Sequence, residues 1–479
     1  MSSKENIIDT IPLVADLDGT IIKTDILYES LLMLLKKNPL YVFFIPFWLL
    51  KGKSFIKQMV VDRVDIRVEN LPYNDDVIEF IKEEKHKGRK IYLATASHEI
   101  PAKKMADYLG IFDGVFATVK EHNLLSMNKT KRLITEFGEH GFDYIGDSGN
   151  DIHVWKSARH VYMVNPSNKT KNAVENSRIE RIFSYPSSKI KLLIKQIRVY
   201  QWIKNILIFM PMLMAHKFLD LDSYLKAILA FFSFSLTASF VYVLNDLLDL
   251  ESDRKHPRKK NRPIASGNMQ VREGLMLLPF LLIAGVALAF FVNTNFVILL
   301  LSYLVLTSAY SFKLKKFYII DIMVLSSLYT IRLIGGGLAV DVAISTWLLA
   351  FSLFIFLSLA VVKRYTEVRV MIQENKEKTA GRGYLITDES LLSSLGIGSG
   401  LISVLIFLLY ADSPEVMHLY ETPEFFYGVA PFLLYWLMRI WFKAHRGEMN
   451  DDPIVFTARD PVSYFIFAIV VVLIAGAML

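Results

Sequence analysis

Four polar side chains recur at helical spacing directly after a long apolar segment in the middle of the chain. They are Asn245, Asp246, Asp249 and Asp253. At about 100° of rotation per residue, these positions fall within an arc of roughly 100° on a helix, so their oxygens can face one cation. Mg²⁺ prefers a few carboxylates and completes its octahedron with water and phosphate oxygens. The pattern therefore predicts a magnesium-bound pyrophosphate at a membrane surface.

A run of cations follows these acids and has two explanations. Lys255, Arg258, Lys259 and Arg262 can hold the remaining phosphate charge. Lys and Arg beside membrane-spanning segments also set the orientation of a protein in the bilayer, and for the cations alone that explanation is the commoner one. It does not account for the acids, because acids at a membrane are candidates for function.

The acid motif resembles the first motif of the UbiA superfamily of intramembrane prenyltransferases, which has the form Asn-Asp-x-x-Asp-x-x-x-Asp. The next residues, from His256 to Gly267, are most similar to one branch, the decaprenyl-phosphate phosphoribosyltransferases. The upstream sequence Gln-Trp-x-Lys204-Asn resembles that branch too. The resemblance covers roughly residues 195 to 479. It implies an all-α membrane domain of about nine helices, with Mg²⁺ held by the motif and with Lys204, Lys259 and Arg262 binding substrate.

Composition indicates a membrane protein with a soluble part. The chain has 479 residues, of which 53% are hydrophobic, and its mean hydropathy is +0.35. Cysteine is absent, which excludes disulfides and thiolate metal sites. The net charge of +7 comes from bases that cluster between apolar segments. Membrane orientation explains such bases better than nucleic acid does, so we expect no nucleic-acid partner.

Apolar runs of about 17 to 25 residues predict nine spans. They lie near 203–219, 224–248, 272–291, 295–312, 318–339, 344–362, 390–411, 424–442 and 461–478. Lys and Arg concentrate in the loops on one side, and the loop 412–424 has neither. The N-terminus lacks the pattern of a signal peptide. We therefore predict an integral protein of a bacterial plasma membrane, with the N-terminal domain in the cytoplasm.

A second polar segment runs from Tyr310 through Lys315 to Asp321, between the fourth and fifth predicted spans, and these three residues are candidates for substrate binding. Many UbiA prenyltransferases carry two aspartates four residues apart here, which complete a prenyl diphosphate site with two or more magnesium ions. This chain has Leu325 at the second of these positions. The missing acid argues against an aromatic prenyltransferase and fits the phosphoribosyltransferase branch, in which Tyr-Ser-x-x-Leu-Lys recurs.

Three further cations on the predicted spans are candidates for substrate binding. An unpaired charge at the position of Arg332 costs about 2.5 to 3.5 kcal/mol on insertion scales, so a partner or a cavity is expected. Lys363 and Arg364 end the sixth span, where they either reach the polar site or anchor the span. For Lys313 and Lys316 a cap of cations is the better explanation. Weaker candidates are Glu448, Asp451, Asp452 and Asp460.

The N-terminal part carries four motifs in the order expected of a phosphate site. Each of three short apolar runs ends in polar residues, and a lysine precedes a helix: Asp16 and Asp18, Thr95 and Ser97, Lys129, then Asp147 and Asp151. Together they resemble the haloacid dehalogenase (HAD) phosphatase superfamily over about residues 8 to 185. The resemblance implies an α/β Rossmannoid domain with a helical cap at about residues 22–88.

The chemistry of phosphoryl transfer explains these residue types. Asp16 is the predicted nucleophile, because a carboxylate can attack phosphorus when Mg²⁺ and a cation suppress the repulsion. Asp18 is the predicted general acid and base. The resemblance implies that Thr95 and Lys129 hold phosphoryl oxygens, with Ser97 and Lys131 as alternatives. It also implies a metal shell of Asp16, the Asp18 carbonyl and Asp147, oriented by Asp151. Mg²⁺ is thus expected in both domains.

An apolar stretch at residues 40–50 lies between the first two of these motifs. It is too short and too interrupted by proline to span a bilayer. It either forms the buried core of the cap or rests in the membrane interface and selects lipid-bound substrates. The sequence leaves both possibilities open.

We predict a fusion of a phosphatase domain, residues 1–190, with a transferase domain, residues 191–479. The transferase moves 5-phosphoribose from phosphoribosyl pyrophosphate to a polyprenyl phosphate in the bilayer, and the phosphatase removes the 5-phosphate of the product. One alternative is prenyl transfer from a prenyl diphosphate to an aromatic acceptor. Another is a membrane binding or transport protein with a regulatory HAD domain, against which the intact Asp16, Asp18 and Asp147 argue. The sequence predicts no oligomeric state.

Overall fold

The computed structural model describes residues 11–119, 124–185, 188–374, 382–449 and 452–478. It forms two compact units. The first contains Met1–Gln196 with Val243–Leu278, and the second contains Ile197–Tyr242 with Pro279–Leu479. The acid motif that starts at Asn245 therefore belongs to the same unit as the N-terminal part. The predicted domain boundary at residue 190 stays a prediction.

The first unit is built on a six-stranded parallel sheet with the strand order β3-β2-β1-β4-β5-β6. Its strands are β1 Leu13–Ala15, β2 Ile91–His98, β3 Gly114–Thr118, β4 Asp143–Gly146, β5 Val161–Val164 and β6 Ile179–Phe183. The strand order reverses direction around β1, which pairs with β2 on one side and β4 on the other. Side chains that follow these three strands meet at one edge of the sheet, where open α/β sheets bind ligands. The predicted α/β fold is confirmed.

Helices cover both faces of this sheet. The helices of this part of the chain are α1 Ile26–Lys37, α2 Ile45–Leu50, α3 Lys53–Val61, α4 Asp75–His86, α5 Glu99–Leu109, α6 Met127–Phe137, α7 Ile152–Ser157, α8 Asn168–Lys171 and α9 Lys189–Gln196. On one face α4 and α5 pack through residues such as Phe80 and Met105. On the other face α6 and α7 pack through Leu133 and Trp155. A sheet covered on both sides explains why its central strand β1 is wholly apolar and buried.

The remaining helices include the membrane-spanning part. They are α10 Met210–Met214, α11 Leu221–Leu248, α12 Leu250–Lys255, α13 Val271–Phe290, α14 Thr294–Phe312, α15 Tyr318–Ala339, α16 Thr346–Gln373, α17 Glu389–Ala411, α18 Pro414–Leu419, α19 Phe425–His445, α20 Pro453–Thr457 and α21 Pro461–Ala477. Within the described residues, seven of them (α11, α13, α14, α15, α16, α17 and α19) are long and apolar enough to cross a membrane. The chain is thus an integral membrane protein with a helical second part.

The two other predicted spans differ from simple membrane helices. Residues 203–219 are divided between a 3₁₀ segment, Val199–Phe209, the short α10 and a turn at His216 with a φ of 55°. The last span, α21, is an apolar helix of 17 residues. The total of nine spans stays a prediction.

Close packing within the second unit explains one glycine of the sequence. A Cβ atom at Gly336 on α15 would lie 2.1 Å from the carbonyl oxygen of Ile208. Only glycine lets α15 approach the 3₁₀ segment Val199–Phe209 this closely, and that segment carries Lys204 and Asn205.

Candidate active sites

Three carboxylates converge at the carboxyl edge of the sheet. Asp16 follows β1, Asp147 follows β4, and Asp151 lies in the next turn, with one oxygen of each within 4.8 Å of the others. In the part of the chain that the structure describes, no other group of three acids or histidines has this spacing. Gly19, with a φ of +80°, permits the approach, since a Cβ there would lie 2.2 Å from Asp147 Oδ2. A compact set of carboxylate oxygens fits Mg²⁺.

Lys129 supplies a fixed positive charge to this cluster. Its Nζ lies 2.9 Å from Asp16 Oδ1 and 3.1 Å from Asp151 Oδ1, and it donates to the Tyr144 hydroxyl at 2.8 Å. Burial alone would lower the pKa of Lys129, but the carboxylates of Asp151 and Asp16 raise it above its usual value. Lys129 therefore stays charged. Lys131, the predicted alternative, is exposed on the outer face of α6.

The three acids are crowded, with Asp16 and Asp151 buried and Asp147 partly buried. Burial raises the pKa of Asp16 to about 6, although Lys129 opposes the change. Burial and the neighbouring acids Asp151 and Asp16 raise the pKa of Asp147 well above its usual value. One ammonium group is thus too little positive charge for three carboxylates, and a divalent cation would supply the rest.

Asp18 has a different environment. Its Oδ2 accepts a hydrogen bond from Ser97 Oγ at 2.6 Å, and its Oδ1 accepts one from the Ile26 amide at 2.9 Å. Burial, together with the charge of Asp25, raises the pKa of Asp18 to about 8 despite these bonds. A pKa of about 8 leaves Asp18 mostly protonated at neutral pH, which would suit the general-acid role predicted from the sequence. The buried Thr95 hydroxyl accepts a hydrogen bond from the Ser97 amide at 2.9 Å. The Thr95 and Ser97 hydroxyls therefore both lie at the end of β2.

The second acid motif follows one helical path. Helix α11 ends at Leu248 and α12 begins at Leu250, but the Asp249 amide still bonds the Asn245 carbonyl at 2.9 Å. The Asp253 amide bonds the Asp249 carbonyl at 2.8 Å in the same pattern. The helical register on which the sequence argument depends is therefore preserved. Asp246 and Asp253 are buried.

Arg262 lies between two of these acids. Its Nη1 donates to Asp246 Oδ1 at 2.9 Å and also to Asp253 Oδ2. Gln196 Nε2 donates to the other Asp246 oxygen at 3.0 Å, and Lys259 Nζ lies 4.0 Å from Asp253 Oδ1. In this arrangement the guanidinium predicted to hold phosphate supplies the positive charge that the two buried carboxylates need.

The acid motif packs against the N-terminal part of the same unit through a buried ion pair that no sequence pattern indicated. Arg254 Nη2 lies 2.6 Å from Glu29 Oε1, and Arg254 Nη1 lies 3.1 Å from Glu29 Oε2. The Thr24 hydroxyl donates to the same Glu29 Oε1 at 2.7 Å. The side chains of Arg254 and Glu29 are almost fully buried. A bidentate Arg–carboxylate pair of this kind fixes both position and orientation.

In the second unit, Asp321 on α15 is already paired with a cation. Arg364 Nε donates to Asp321 Oδ2, and Arg364 Nη2 lies 3.2 Å from Oδ1. The hydroxyl of Tyr310 donates to Oδ1 at 2.8 Å, and that of Tyr384 donates to Oδ2 at 3.2 Å. Both charged side chains are fully buried. Three predicted substrate residues, Tyr310, Asp321 and Arg364, therefore form one hydrogen-bonded group, whereas Lys315 lies half-buried on the turn Leu314–Lys316.

Asp452 organises a second group in this unit. Its Oδ2 lies 2.7 Å from Lys204 Nζ and 2.9 Å from Lys363 Nζ, and the Tyr329 hydroxyl lies 3.3 Å from its Oδ1. The sequence ranked Asp452 among the weaker candidates. Lys204 and Lys363 lie on apolar segments and need an acid partner. That requirement was the sign in the sequence that an acid such as Asp452 lies beside them.

Arg332 has the polar partner that its burial requires. Its Nε donates to Asn205 Oδ1 at 2.7 Å, and its Nη2 lies 3.1 Å from the Tyr303 hydroxyl. The Asn205 amide in turn donates to Ser235 Oγ at 2.8 Å. This set of bonds holds the guanidinium inside the helical unit.

Comparison with known proteins assigns the helical part. Residues 206–468 match the UbiA prenyltransferase family. The uncharacterised protein y4nM of Sinorhizobium fredii is 36% identical over 465 residues, which cover 96% of this chain and 90% of that protein. Decaprenyl-phosphate phosphoribosyltransferase of Mycolicibacterium smegmatis is 36% identical over 191 residues, which cover 39% of this chain and 59% of the enzyme. A phosphoserine phosphatase structure aligns with a TM-score of 0.28 and 18% identity, covering 37% of this chain and 94% of the phosphatase.

Proposed function

The chain belongs to the UbiA prenyltransferase family, and we propose that it transfers 5-phosphoribose from phosphoribosyl pyrophosphate to a polyprenyl phosphate. We also propose that its N-terminal domain is a phosphatase that removes the 5-phosphate of that product. Both activities depend on Mg²⁺ in this proposal. The protein lies in a bacterial plasma membrane with the phosphatase in the cytoplasm.

The absence of a second acid in the second motif supports a phosphoribosyl donor over a prenyl diphosphate. Leu325 occupies the position four residues after Asp321. The Asp321 carboxylate is itself bound by Arg364 on both oxygens. With its one acid neutralised, this segment offers cations and hydroxyls to a substrate and few ligands to a further metal. The name of the M. smegmatis relative agrees with that donor.

The acid motif of the first unit is the proposed pyrophosphate-metal site. Asp246, Asp249 and Asp253 would hold Mg²⁺, which neutralises a pyrophosphate leaving group and stabilises the charge that develops on it. Arg262 now bonds two of these acids. Upon donor binding its guanidinium can turn to phosphate oxygens, for which its planar fork is well suited.

The observation that carries the phosphatase assignment is the buried array of Asp16, Lys129 and Asp151 beside a protonated Asp18. An Asp16 oxygen attacks the phosphorus of a phosphomonoester, and the bond from phosphorus to the sugar oxygen breaks. Asp18 gives its proton to that oxygen. Asp18 then takes a proton from water, whose oxygen attacks the aspartyl phosphate to release inorganic phosphate and restore Asp16. Residues Asp16, Asp147 and Asp151 would hold Mg²⁺, which screens the charge of the phosphoryl oxygens.

The two activities form a sequence with a defined order. Transfer from phosphoribosyl pyrophosphate leaves a lipid that still carries a 5-phosphomonoester. A phosphomonoester is the bond that Asp16 and Asp18 are arranged to cleave. The fusion therefore keeps the second enzyme beside the source of its substrate.

The test is to incubate the purified protein in lipid nanodiscs with phosphoribosyl pyrophosphate, labelled in the ribose, and a polyprenyl phosphate. We expect label in the lipid fraction together with released pyrophosphate, and neither without Mg²⁺. A parallel reaction contains geranyl diphosphate and 4-hydroxybenzoate. Prenylation of 4-hydroxybenzoate, with no label in the lipid, would contradict the proposal and favour an aromatic prenyltransferase.

A further inference from the structure

Residues 39–50 form an apolar tip on the cap, made of a 3₁₀ turn, Pro39–Phe43, and α2. The structure describes all of these residues and buries none of them. Seven large apolar side chains are exposed, with 66% exposure at Phe47 and 86% at Leu50: Leu40, Val42, Phe43, Phe44, Phe47, Leu49 and Leu50. Seven exposed apolar side chains on one short segment mark an interaction site.

The inner face of the apolar tip is firmly packed. Tyr41, Ile45 and Trp48 contact a small core that includes Leu34 and Ile56. The rings of Tyr41 and Trp48 lie 5.8 Å apart. The guanidinium of Arg63 lies 5.3 Å from the centre of the Trp48 ring. The outer side chains therefore point outward from a well-packed structure. No part of the chain that the structure describes covers them.

The charges around the apolar tip identify its partner. From residue 30 to residue 61 the chain has five lysines and no acid. Lys36, Lys37, Lys51 and Lys53 are exposed beside the tip, whereas the fifth, Lys57, points to the end of β2. An apolar helix with Lys on its flanks is the pattern of segments that lie in a lipid interface, where the cations attract anionic headgroups. A second copy of the tip would instead bring four exposed lysines against four exposed lysines.

We propose that the apolar tip inserts into the interface of the lipid bilayer and thereby places the phosphatase site at the membrane surface. The helical unit keeps every copy of the chain in a membrane, so this surface is always present. Of the two possibilities for residues 40–50, a buried cap core and an interfacial segment, their exposure favours the second.

Helix α3 connects the apolar tip to the phosphatase site. It begins at Lys53, three residues after the tip, and its nine residues extend about 13 Å. In its middle, Lys57 Nζ donates to the Ala96 carbonyl at 2.6 Å, and Gln58 Oε1 lies 2.9 Å from His98 Nε2. Both contacts are at the end of β2, beside Ser97 and its partner Asp18. The substrate class that suits this geometry is a phosphomonoester whose other end is anchored in lipid. This last step rests on the proposed phosphatase function.

The chain has no cysteine, which permits a direct test by spin labelling. Phe47→Cys and Leu50→Cys would carry a nitroxide on the tip, and Ile100→Cys on α5, 57% exposed in the parent chain, is the matched control. Full-length protein in nanodiscs containing anionic phospholipid is then measured for relaxation by oxygen, which partitions into lipid, and by a water-soluble nickel complex. We expect labels 47 and 50 to respond to oxygen and to be shielded from nickel, and label 100 to show the reverse. Nickel accessibility at 47 and 50 equal to that at 100 would overturn the proposal. Dipolar broadening between tips would overturn it in favour of a second copy.

A second experiment tests the substrate class. The double variant Phe47→Glu, Leu50→Glu should hydrolyse a water-soluble phosphomonoester within about twofold of the parent chain. Its rate on a phosphomonoester carried by a lipid in the same bilayer should fall at least tenfold. Ile100→Glu should change neither rate. An unchanged rate on the lipid-borne substrate would refute the role of the tip in substrate selection. Absence of hydrolysis of either substrate by the parent chain would refute the phosphatase function, while the spin-label result would still decide on insertion.

Discussion

Replacing Ser97 with alanine should shift the pH dependence of the phosphatase toward higher pH. Ser97 Oγ donates to Asp18 Oδ2 at 2.6 Å, and this bond is stronger when Asp18 is ionised. Its loss therefore favours the protonated acid and raises the pKa of Asp18 above about 8. Because the first step requires a proton on Asp18, the variant should keep working at a pH at which the parent chain has lost activity.

The size of the shift follows from the hydrogen bond. A bond to a charged group contributes about 1.5–3 kcal/mol, and one pKa unit corresponds to about 1.4 kcal/mol. The decline in kcat/KM at high pH should move up by about one to two units. With an Asp18 pKa of about 8, only about a tenth of the parent enzyme is protonated at pH 9, whereas half or more of the variant is.

The assay is kcat/KM from pH 6 to 10 at saturating Mg²⁺, with release of phosphate from ribose 5-phosphate. A sugar alkoxide is a poor leaving group, so proton donation by Asp18 limits the rate. Two controls isolate this effect. 4-Nitrophenyl phosphate has a leaving group that needs no proton, so its rate should not show the decline. Ser97→Thr keeps a hydroxyl and should restore the parent profile.

A decline that stays at the same pH in Ser97→Ala, or moves to lower pH, would refute the assignment of Asp18 as the acid held by Ser97. A uniform loss of rate at every pH would instead assign Ser97 to phosphate binding, the role for which it was the alternative to Thr95.

Three further predictions concern the other charged groups. Asp253→Asn should lower the amount of lipid product by orders of magnitude, because a metal carboxylate is lost. The rate of ribose 5-phosphate hydrolysis should stay within twofold of the parent rate. A near-normal rate of transfer would show that Asp253 is not a metal ligand. Glu29→Gln or Arg254→Gln each leaves a buried charge without its partner, at a cost of about 3–5 kcal/mol. Each single variant should therefore have a lower Tm, and the double variant should lose less than the sum; additive losses would show that the pair is not coupled. Asp452→Asn leaves Lys204 and Lys363 without their carboxylate. We therefore expect a Tm several degrees lower. An unchanged Tm would contradict the buried pairing.

The acid cluster at the carboxyl edge of the sheet could be located from sequence because its residues follow short apolar strands. Asp16 and Asp147 each come directly after a buried strand, and a parallel sheet brings such positions together. The choice between Lys129 and Lys131 needed the phase of α6. The structure supplies that phase: Leu133, four residues after Lys129, is buried on the same face, whereas Lys131 is exposed.

The ion pairs of the helical unit could not be predicted in the same way. Asp452 is 248 residues from Lys204 and 89 residues from Lys363 along the chain. Their contacts depend on how distant segments pack. The same is true of Glu29 and Arg254. No local pattern connects residues at such separations. The sequence indicates only that a buried charge must have a partner, because an unpaired one is costly.

The segment 203–219 shows a limit of hydropathy. Its apolar composition predicted a span, but the helix Met210–Met214 has only five residues, and the backbone turns at His216. Hydropathy measures how well side chains suit lipid and does not measure backbone continuity. Exposure of the apolar tip was likewise undetermined, because a buried cap core and an interfacial segment have the same composition.

The most direct test of the account is mass spectrometry of the lipid made by the parent chain and by Asp16→Asn from phosphoribosyl pyrophosphate and a polyprenyl phosphate in nanodiscs. The amide keeps the shape of the side chain but is a far poorer nucleophile than the carboxylate. We expect the parent chain to yield the ribosylated lipid without a 5-phosphate, and Asp16→Asn to transfer at a normal rate and accumulate the same lipid heavier by one phosphate. The same phosphorylated lipid from both proteins, or no ribosylated lipid from either, would contradict the account.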